Sequence, residues 1–323
     1  DGDNNSVTIT TGDSDLAFVG GYWKKEQNIS DADGFDSTSG NRLTMEGGDA
    51  GRIYGGYVRH RGAPVTANEN IVIINRGNVV GSKPSSGSPD RTIVYGAYAV
   101  GIGDTGTAIT NSNSVIINGG NIIDAVKGAY AGGDKESGYA EACGNSVVVN
   151  GGELSGAFGG DASAFQSISR NNSVIVTGGT LKATGEDAAV IIGGIAETEK
   201  QGGKADASYN RVVVQGITLR NGQNVYGGRS QNLSGWSTAL SAENNTVILD
   251  GGSLTDIDVV SGYIFSWTSS LAYSATNNRM VILNNPDLSG SYLYGGKVEI
   301  TPSSSGVPAM CARATVWKFT VRD

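Results

Sequence analysis

A single histidine, His60, stands in a chain of 323 residues, and that scarcity excludes much chemistry. A Ser-His-Asp site would have to use it, yet "VRHRGAP" reads as a loop between two units and no G-x-S-x-G turn accompanies it. No cysteine–histidine cluster has zinc spacing. The two cysteines, Cys143 and Cys311, are too few for a disulfide scaffold and are expected to be free thiols. Charge is scarce too, at 17% of residues, with a net charge of −8 and no basic cluster. That balance argues against nucleic acid and anionic membrane as partners. No apolar run approaches the roughly 18 residues of a spanning helix, so no direct membrane insertion is expected. Neither the calcium-binding nonapeptide of β-rolls nor an EF-hand loop occurs. Asp13, Asp15, Asp31, Asp33 and Asp36 crowd the start of the chain but fall in no repeated column, and they read as a solvated face. No catalytic residue, cofactor or metal is therefore expected. The chain begins without Met or signal peptide and reads as a processed product or excised fragment.

Glycine is what the chain has in excess, 50 residues without a G-X-Y period. It accompanies a repeat. "NSVIINGGNI" at 113, "NSVVVNGGEL" at 145, "NSVIVTGGTL" at 172 and "NTVILDGGSL" at 245 share one pattern, N-x-V-x-I-x-G-G-x-L. Asn opens a comparable segment at 5, 41, 70, 113, 145, 172, 210, 245 and 278, with starts 27 to 43 residues apart. A second element follows in each unit: "IYGGY" at 53, "VYGAY" at 94, "VYGGR" at 225 and "LYGGK" at 293, with weaker copies elsewhere. Between it and the next Asn lie polar residues rich in Ser, Ala, Gly and Asn. Both elements are short, β-branched and bounded by Gly and Asn, which predicts strands. No segment keeps a helical period over three turns. Two strands per 27–43 residues are too few for a propeller blade and suit one coil of a parallel β-solenoid. The expectation is an all-β parallel β-helix of about nine coils, about 43 Å long at ~4.8 Å per coil.

Strand periodicity assigns the columns. Residues i, i+2 and i+4 share a face. The third and fifth positions of the first element are apolar in every unit and face the core. Asn5, Asn41, Asn70, Asn113, Asn145, Asn172, Asn210, Asn245 and Asn278 lie at the edge of that face. Amides stacked at coil spacing can each donate to the next, so these residues are expected to form a structural ladder. The glycine pair after the first strand is expected to turn a corner through positive φ. The fourth position faces outward. Seven consecutive units place Ile73, Ile116, Val148, Ile175, Val213, Ile248 and Val281 there, a stripe of the kind that marks a partner or a covering layer. In the second element the residue before the tyrosine faces in, and Tyr54, Tyr95, Phe158, Ile192, Tyr226 and Tyr294 are expected to face out. A further column holds Tyr22, Tyr57, Tyr98, Tyr130 and Tyr263 but also Asp161, Arg229 and Lys297, so it is expected to be solvent exposed. Tyrosine ladders serve either as stiffening rungs or as a face for sugars or a partner protein.

"NNSVIVTGGTL", "NVYGGRSQNLSG" and "SAENNTVILDGGSL" resemble repeats of bacterial autotransporter passenger domains, the exported part of type V secretion proteins. The resemblance spans residues 5 to about 297. It implies a right-handed β-helix, a secreted or cell-surface location, and an adhesin or self-association module whose partner is a host protein, a glycan or another copy. No copy of the family's protease domain or of its translocator barrel is recognisable in the chain, and no family catalytic residue carries over. The alternative is a glycan-degrading β-helix, a lyase or tailspike-like hydrolase, which needs clustered carboxylates. Residues 1–297 read as the solenoid. Residues 298–323 read as a capping strand or a non-native tail, with Thr315, Trp317, Phe319 and Val321 alternating on one face.

Overall fold

The structure, a computed structural model, describes residues 2–12, 16–25, 36–81, 92–103, 106–182, 190–220, 222–233, 239–267, 272–300 and 319–322. Among these there is no helix. Every pairing between strands is parallel, and each sheet follows chain order without crossovers. That is a β-solenoid. One coil runs through Ser114–Ile117 in a first sheet, Asn121–Ile122 in a fourth, Ala125–Gly132 in a second and Tyr139–Cys143 in a third, then returns to the first at Ser146. The first sheet has ten strands, the second nine and the third eight; the fourth is split into pieces of five and two. Phe319–Arg322 is the tenth strand of the first sheet and pairs with Arg279–Leu283. The last strand of the second sheet, Tyr292–Ile300, runs past residue 297. Thr315, Trp317 and Cys311 lie outside the described residues, as do Asp13, Asp15, Asp31 and Asp33.

The third sheet corrects the reading of the intervals before each Asn as merely polar. Thr107–Asn111, Tyr139–Cys143 and Lys204–Asp206 are strands. Their inward residues are small: Ala108 and Thr110, Ala140 and Ala142, Ala205 and Ala207. The cross-section explains why. One lobe, between the first, fourth and second sheets, is filled by Leu43, Ile53, Ile117, Leu154, Val225 and their counterparts. The other, between the second and third sheets, is lined largely by alanine in the middle coils, with larger Leu240, Ile264 and Tyr273 joining alanines further along. Between the lobes runs the asparagine ladder.

From Asn70 to Asn210 each ladder amide uses both of its donors. Asn113 Nδ2 donates to Asn145 Oδ1 at 2.9 Å and to the carbonyl of Ala67 in the third sheet at 2.8 Å. The Asn113 backbone N–H donates to the same Oδ1 at 2.9 Å. The side-chain link repeats from Asn5 to Asn41, Asn70, Asn113, Asn145, Asn172, Asn210, Asn245 and Asn278, at 2.8–3.2 Å and always in the same sense. A buried amide is costly unless paired, and here each is paired by its own copies and by two sheets.

Two backbone devices make room for the ladder. The residue before every ladder asparagine is left-handed: Asn4, Gly40, Glu69, Ser112, Gly144, Asn171, Tyr209, Asn244 and Asn277 have φ between 55° and 70°. One such residue turns the chain from the third sheet to the first and aims the amide inward. The second device is the glycine pair of the second element. Its φ values are not positive. A Cβ on Gly160 would sit 2.6 Å from the Asn172 amide carbon, and one on Gly159 would sit 2.2 Å from the Gly193 carbonyl oxygen, so the second glycine makes room for the ladder and the first for the backbone of the next coil. Ala97 and Ala129 replace the second glycine in two coils. After the first element the expectation of positive φ holds for the second glycine, at 82–109° in Gly48, Gly77, Gly120, Gly152, Gly179 and Gly252. Ile217 occupies that place in one coil, and there the left-handed residue moves back to Gly216. The fourth sheet breaks at this step. Leu181 and Arg220 do not pair directly; the Gln223 side chain bridges them, donating to Leu181 O at 2.6 Å and accepting from Arg220 N at 2.7 Å. A cleft of about 550 Å³ opens between the two edges.

Replacing Asn172 with Leu leaves the Asn145 donors and the Ala142 carbonyl without their partner. Each buried unsatisfied group costs about 1–3 kcal/mol, so a loss of about 3 kcal/mol is expected. An unchanged melting transition would show that the amide chain carries no stability. Tyr209, left-handed and 53% exposed, tests the corner separately. Asn tolerates this conformation better than a bulky residue, so Tyr209→Asn should raise stability by about 0.5–1 kcal/mol in the same measurement.

Candidate surface sites on the first and second sheets

The outer face of the second sheet carries two tyrosine columns, and a bend brings them together. In a straight strand, residues three apart point to opposite faces. Tyr54 and Tyr57 nevertheless both lie outside, because the strand changes phase across Gly55 and Gly56. Their rings meet edge to face at 5.4 Å. Along the rod, Tyr22, Tyr57, Tyr98 and Tyr130 stack at 5.1–5.3 Å, and Tyr54 stacks on Tyr95 at 5.2 Å. Tyr98 touches Tyr54 and Tyr95 edgewise.

This geometry corrects two expectations. Tyr54 and Tyr95 are on the outer side but buried, Tyr95 being 1% exposed, because rings above, below and across the bend enclose them. Tyr226 and Tyr294 are half-buried. The second column is not a freely solvated one either. Tyr57, Tyr98 and Tyr130 are half-buried, Tyr263 is buried, and Asp161 is 8% exposed. Charge is tolerated there because it is paired: Lys127 Nζ lies 2.7 Å from Asp161 and over the rings of Tyr130 and Phe158. Arg229 and Lys297 sit likewise over Tyr263, at 5.7 and 5.6 Å. Burial and the neighbouring Glu299 raise the Tyr263 hydroxyl above the ordinary tyrosine range. The ring faces of the inner rungs are thus spent on each other, leaving edges and hydroxyls for a partner. A sugar needs an open ring face to stack, and the most exposed ring of the run is Tyr22 at its head, 57% exposed.

Sequence reasoning missed a carboxyl pair within this face. Glu197, on Val190–Thr198, is raised above the usual glutamate range by burial and then by Asp161 on the preceding coil; a 2.5 Å hydrogen bond from Gln231 opposes the shift. The residues lie in different units and different columns, so no single-strand pattern announces them. The two clefts described, at Gly178–Gln223 and at Asn121–Lys182, lie along the fourth sheet and are not lined by this pair. His60 is not a loop residue. It lies in Arg52–Arg61, 4% exposed, with Nδ1 2.7 Å from Asp36. Cys143 is a free, half-buried thiol that burial pushes up to about 11, which removes it from thiolate chemistry near neutrality.

The first sheet is built differently. Its strands alternate buried and half-buried positions, as in Ser173–Val176. The outward stripe of Ile73, Ile116, Val148, Ile175, Val213 and Ile248 is half-buried by its own neighbours, and Val281 is buried. Its strands touch one another and, through the core, the second sheet. Beside the stripe runs a second amide chain that the sequence pattern hid: Asn150 donates to Asn118 at 2.9 Å, and Asn118 to Asn75 at 2.8 Å. The chain enters and leaves this sheet on a fixed frame. The third-sheet residues Val65, Ala108, Ala140, Ser167, Ala205, Leu240 and Tyr273 each precede the ladder asparagine by five positions. The fourth-sheet strands at Asp49, Asn78, Asn121, Glu153, Thr180, Thr218 and Ser253 begin eight positions after it. Variation in unit length falls elsewhere, so no insertion borders the stripe.

The Glu197 shift has a sign that can be checked. The folded state holds this proton above the ordinary glutamate value, where the unfolded chain has released it. Its contribution is therefore full below the ordinary value, about 4.3, and is lost as pH rises through the raised folded value. Glu197→Gln should flatten the fall in stability over that window, read as denaturant midpoint against pH. An unaltered profile would place the shift elsewhere.

No protein-family model, curated protein or solved structure matches the chain, so the reading of its surface rests on this geometry.

Proposed function

We propose that the chain is the rod of a secreted or bacterial cell-surface adhesion module that works through the outer face of its first sheet. The partner is a neighbouring copy, a host surface protein or a glycan. One observation carries this reading: an apolar stripe seven coils long, Ile73 to Val281, on a face whose borders accept no insertion. A strand needs β-branched residues inside, but the fourth position has no core to fill. A contiguous apolar strip on an outer face is the usual mark of a binding surface. The resemblance of the repeats to autotransporter passengers supports the location. The aromatic face contributes stiffness, since its rings are engaged with one another.

The test is a triple variant. Lysine at Ile116, Ile175 and Ile248 should leave the melting transition within about 1 kcal/mol of the parent, as surface substitutions do. It should abolish self-association in sedimentation and binding on host-protein and glycan arrays. Binding that survives in a folded triple variant removes the stripe from the function. A second reading has one observation behind it, the Asp161–Glu197 carboxyl pair. Glycan hydrolysis uses two carboxyl groups, one of them raised. Release of reducing or unsaturated sugar by the purified chain, lost in Glu197→Gln, would replace adhesion with that activity.

A further inference from the structure

The first-sheet face is not only apolar; its charges are arranged for a copy of itself. Resting on the self-association reading above, we infer that two chains pair face to face through their first sheets as parallel rods, related by a two-fold axis along the rod. Three columns of this face matter. The second position carries the exposed cations Arg42, Arg211 and Arg279. The fourth carries the apolar stripe. The sixth carries the half-buried anions Glu46 and Asp250. Arg42 and Glu46 belong to one coil, Arg211 to the coil before Asp250, and Arg279 to the coil after it.

A two-fold axis along the rod sets the stripe of one copy on the stripe of the other at the same coil level. It also exchanges the flanking columns, so that each cation column faces the partner's anion column. Arg42 then faces Glu46 of the other copy directly. Asp250 of one copy falls between Arg211 and Arg279 of the other, one coil spacing from each. Every such contact occurs twice, because the interface is isologous. The alternative two-fold axis, along the strands, reverses one rod. It opposes cation column to cation column and, with the stripes centred, sets Arg211 level with Ser146, Arg279 with Ile71 and Asp250 with Asn118. Only Glu46 and Arg322, of the tenth strand, then meet as opposite charges, and Arg279 falls one coil from Arg42. The parallel pair brings Arg322 within one coil of Arg279 but faces Arg42 with Glu46 and sets Asp250 between two arginines, so charge complementarity favours it, as it commonly selects register and partner.

The dimensions suit a modest interface. The three columns span about 13 Å along the strand, and nine coils span about 43 Å. With side-chain width that is roughly 600 Å² per copy, or ~1,200 Å² in all, at the small end of specific interfaces. Sheets packed about 10 Å apart place facing stripe residues in contact and leave an arginine within reach of the opposite carboxylate. The polar columns, with Ser114, Ser146 and Ser173 on one side and Asn118 and Asn150 on the other, make the rim. Parallel pairing puts both C-termini at the same end, so it joins copies held on one surface.

Cross-linking decides between the arrangements. In full-length chain with Cys143 and Cys311 changed to serine, Ile116→Cys lies on the two-fold axis and should form a disulfide-linked dimer with itself under diamide, at concentrations where sedimentation shows dimer. A mixture of Ile116→Cys chains with Ile248→Cys chains should give no cross-link between the two variants, because their coils are four levels apart. Charge reversal at Arg211 and Arg279 to glutamate should weaken dimerisation at least 10-fold, with 10-fold or more of it restored by mixing with Asp250→Lys chains. Cross-links only in the mixed sample, or none despite dimerisation, would overturn the parallel arrangement while leaving self-association intact. A parent chain that stays monomeric at about 100 µM, far above the micromolar range of transient pairs, would remove both this arrangement and self-association itself.

Discussion

One constraint organises this molecule: a buried amide must be satisfied on every coil. The chain meets it by stacking identical amides in register, and the rest follows locally. Register between coils is fixed because a slip of one residue would turn the amide outward and the valines with it. The left-handed residue before each asparagine exists to aim it. The second glycine opposite leaves it space, with alanine the largest residue found there. The third strand lies close to the ladder because its carbonyls must approach the amides closely enough to accept from them, at 2.8–2.9 Å, and in the middle coils alanine fills the space left. Even the bend that shelters Tyr95 is a consequence, since the second strand changes phase where its glycines pass the ladder.

How much of this was legible in the sequence follows from what each position repeats. Asn172 and its equivalents recur at one place in every unit, and Val174 and Val176 alternate beside them, so strand, face and ladder could all be read. The third strand could not. Ala140 and Ala142, or Ser167 and Ser169, are small because the space is small, and small residues carry little strand signal. Tyr54 and Tyr95 were assigned the correct side but the wrong environment, because period-two reasoning assumes a straight strand. Glu197 and Asp161 are neighbours only through stacking of coils joined by segments of unequal length. His60 looked like a loop residue among Arg59, Arg61 and Gly62, but it takes an inward position of Arg52–Arg61 beside Asp36 of the preceding coil.

The two outer faces show how one repeat supports unlike surfaces. On the second sheet the aromatic rungs face each other and the charges are neutralised in place, so the face is stable and largely self-contained. On the first sheet the fixed thirteen-position frame from third-sheet residue to fourth-sheet strand, kept in the coils from Asn41 to Asn245, leaves no insertion within the chain beside the stripe. The first arrangement spends its side chains on the rod itself. The second leaves an apolar stripe on the outer side of the sheet.

The break in the fourth sheet bears on how such a rod would fail under load. Tension along the axis pulls directly on the hydrogen bonds between coils, since all of them run along it. From the coil of Asn41 to the coil of Asn172 four sheets share that force at every step. Between Thr180–Leu181 and Thr218–Leu219 the fourth sheet contributes only the bridge through Gln223, and a cleft already separates the edges. A single isoleucine in place of glycine, Ile217, thus sets the weakest step in the middle of the rod; among the described residues, the steps nearest the C-terminus are paired in fewer sheets still. Coils on either side would part there as blocks once the pairing of Val190–Thr198 with Asn224–Asn232, the longest tie across this step, gives way.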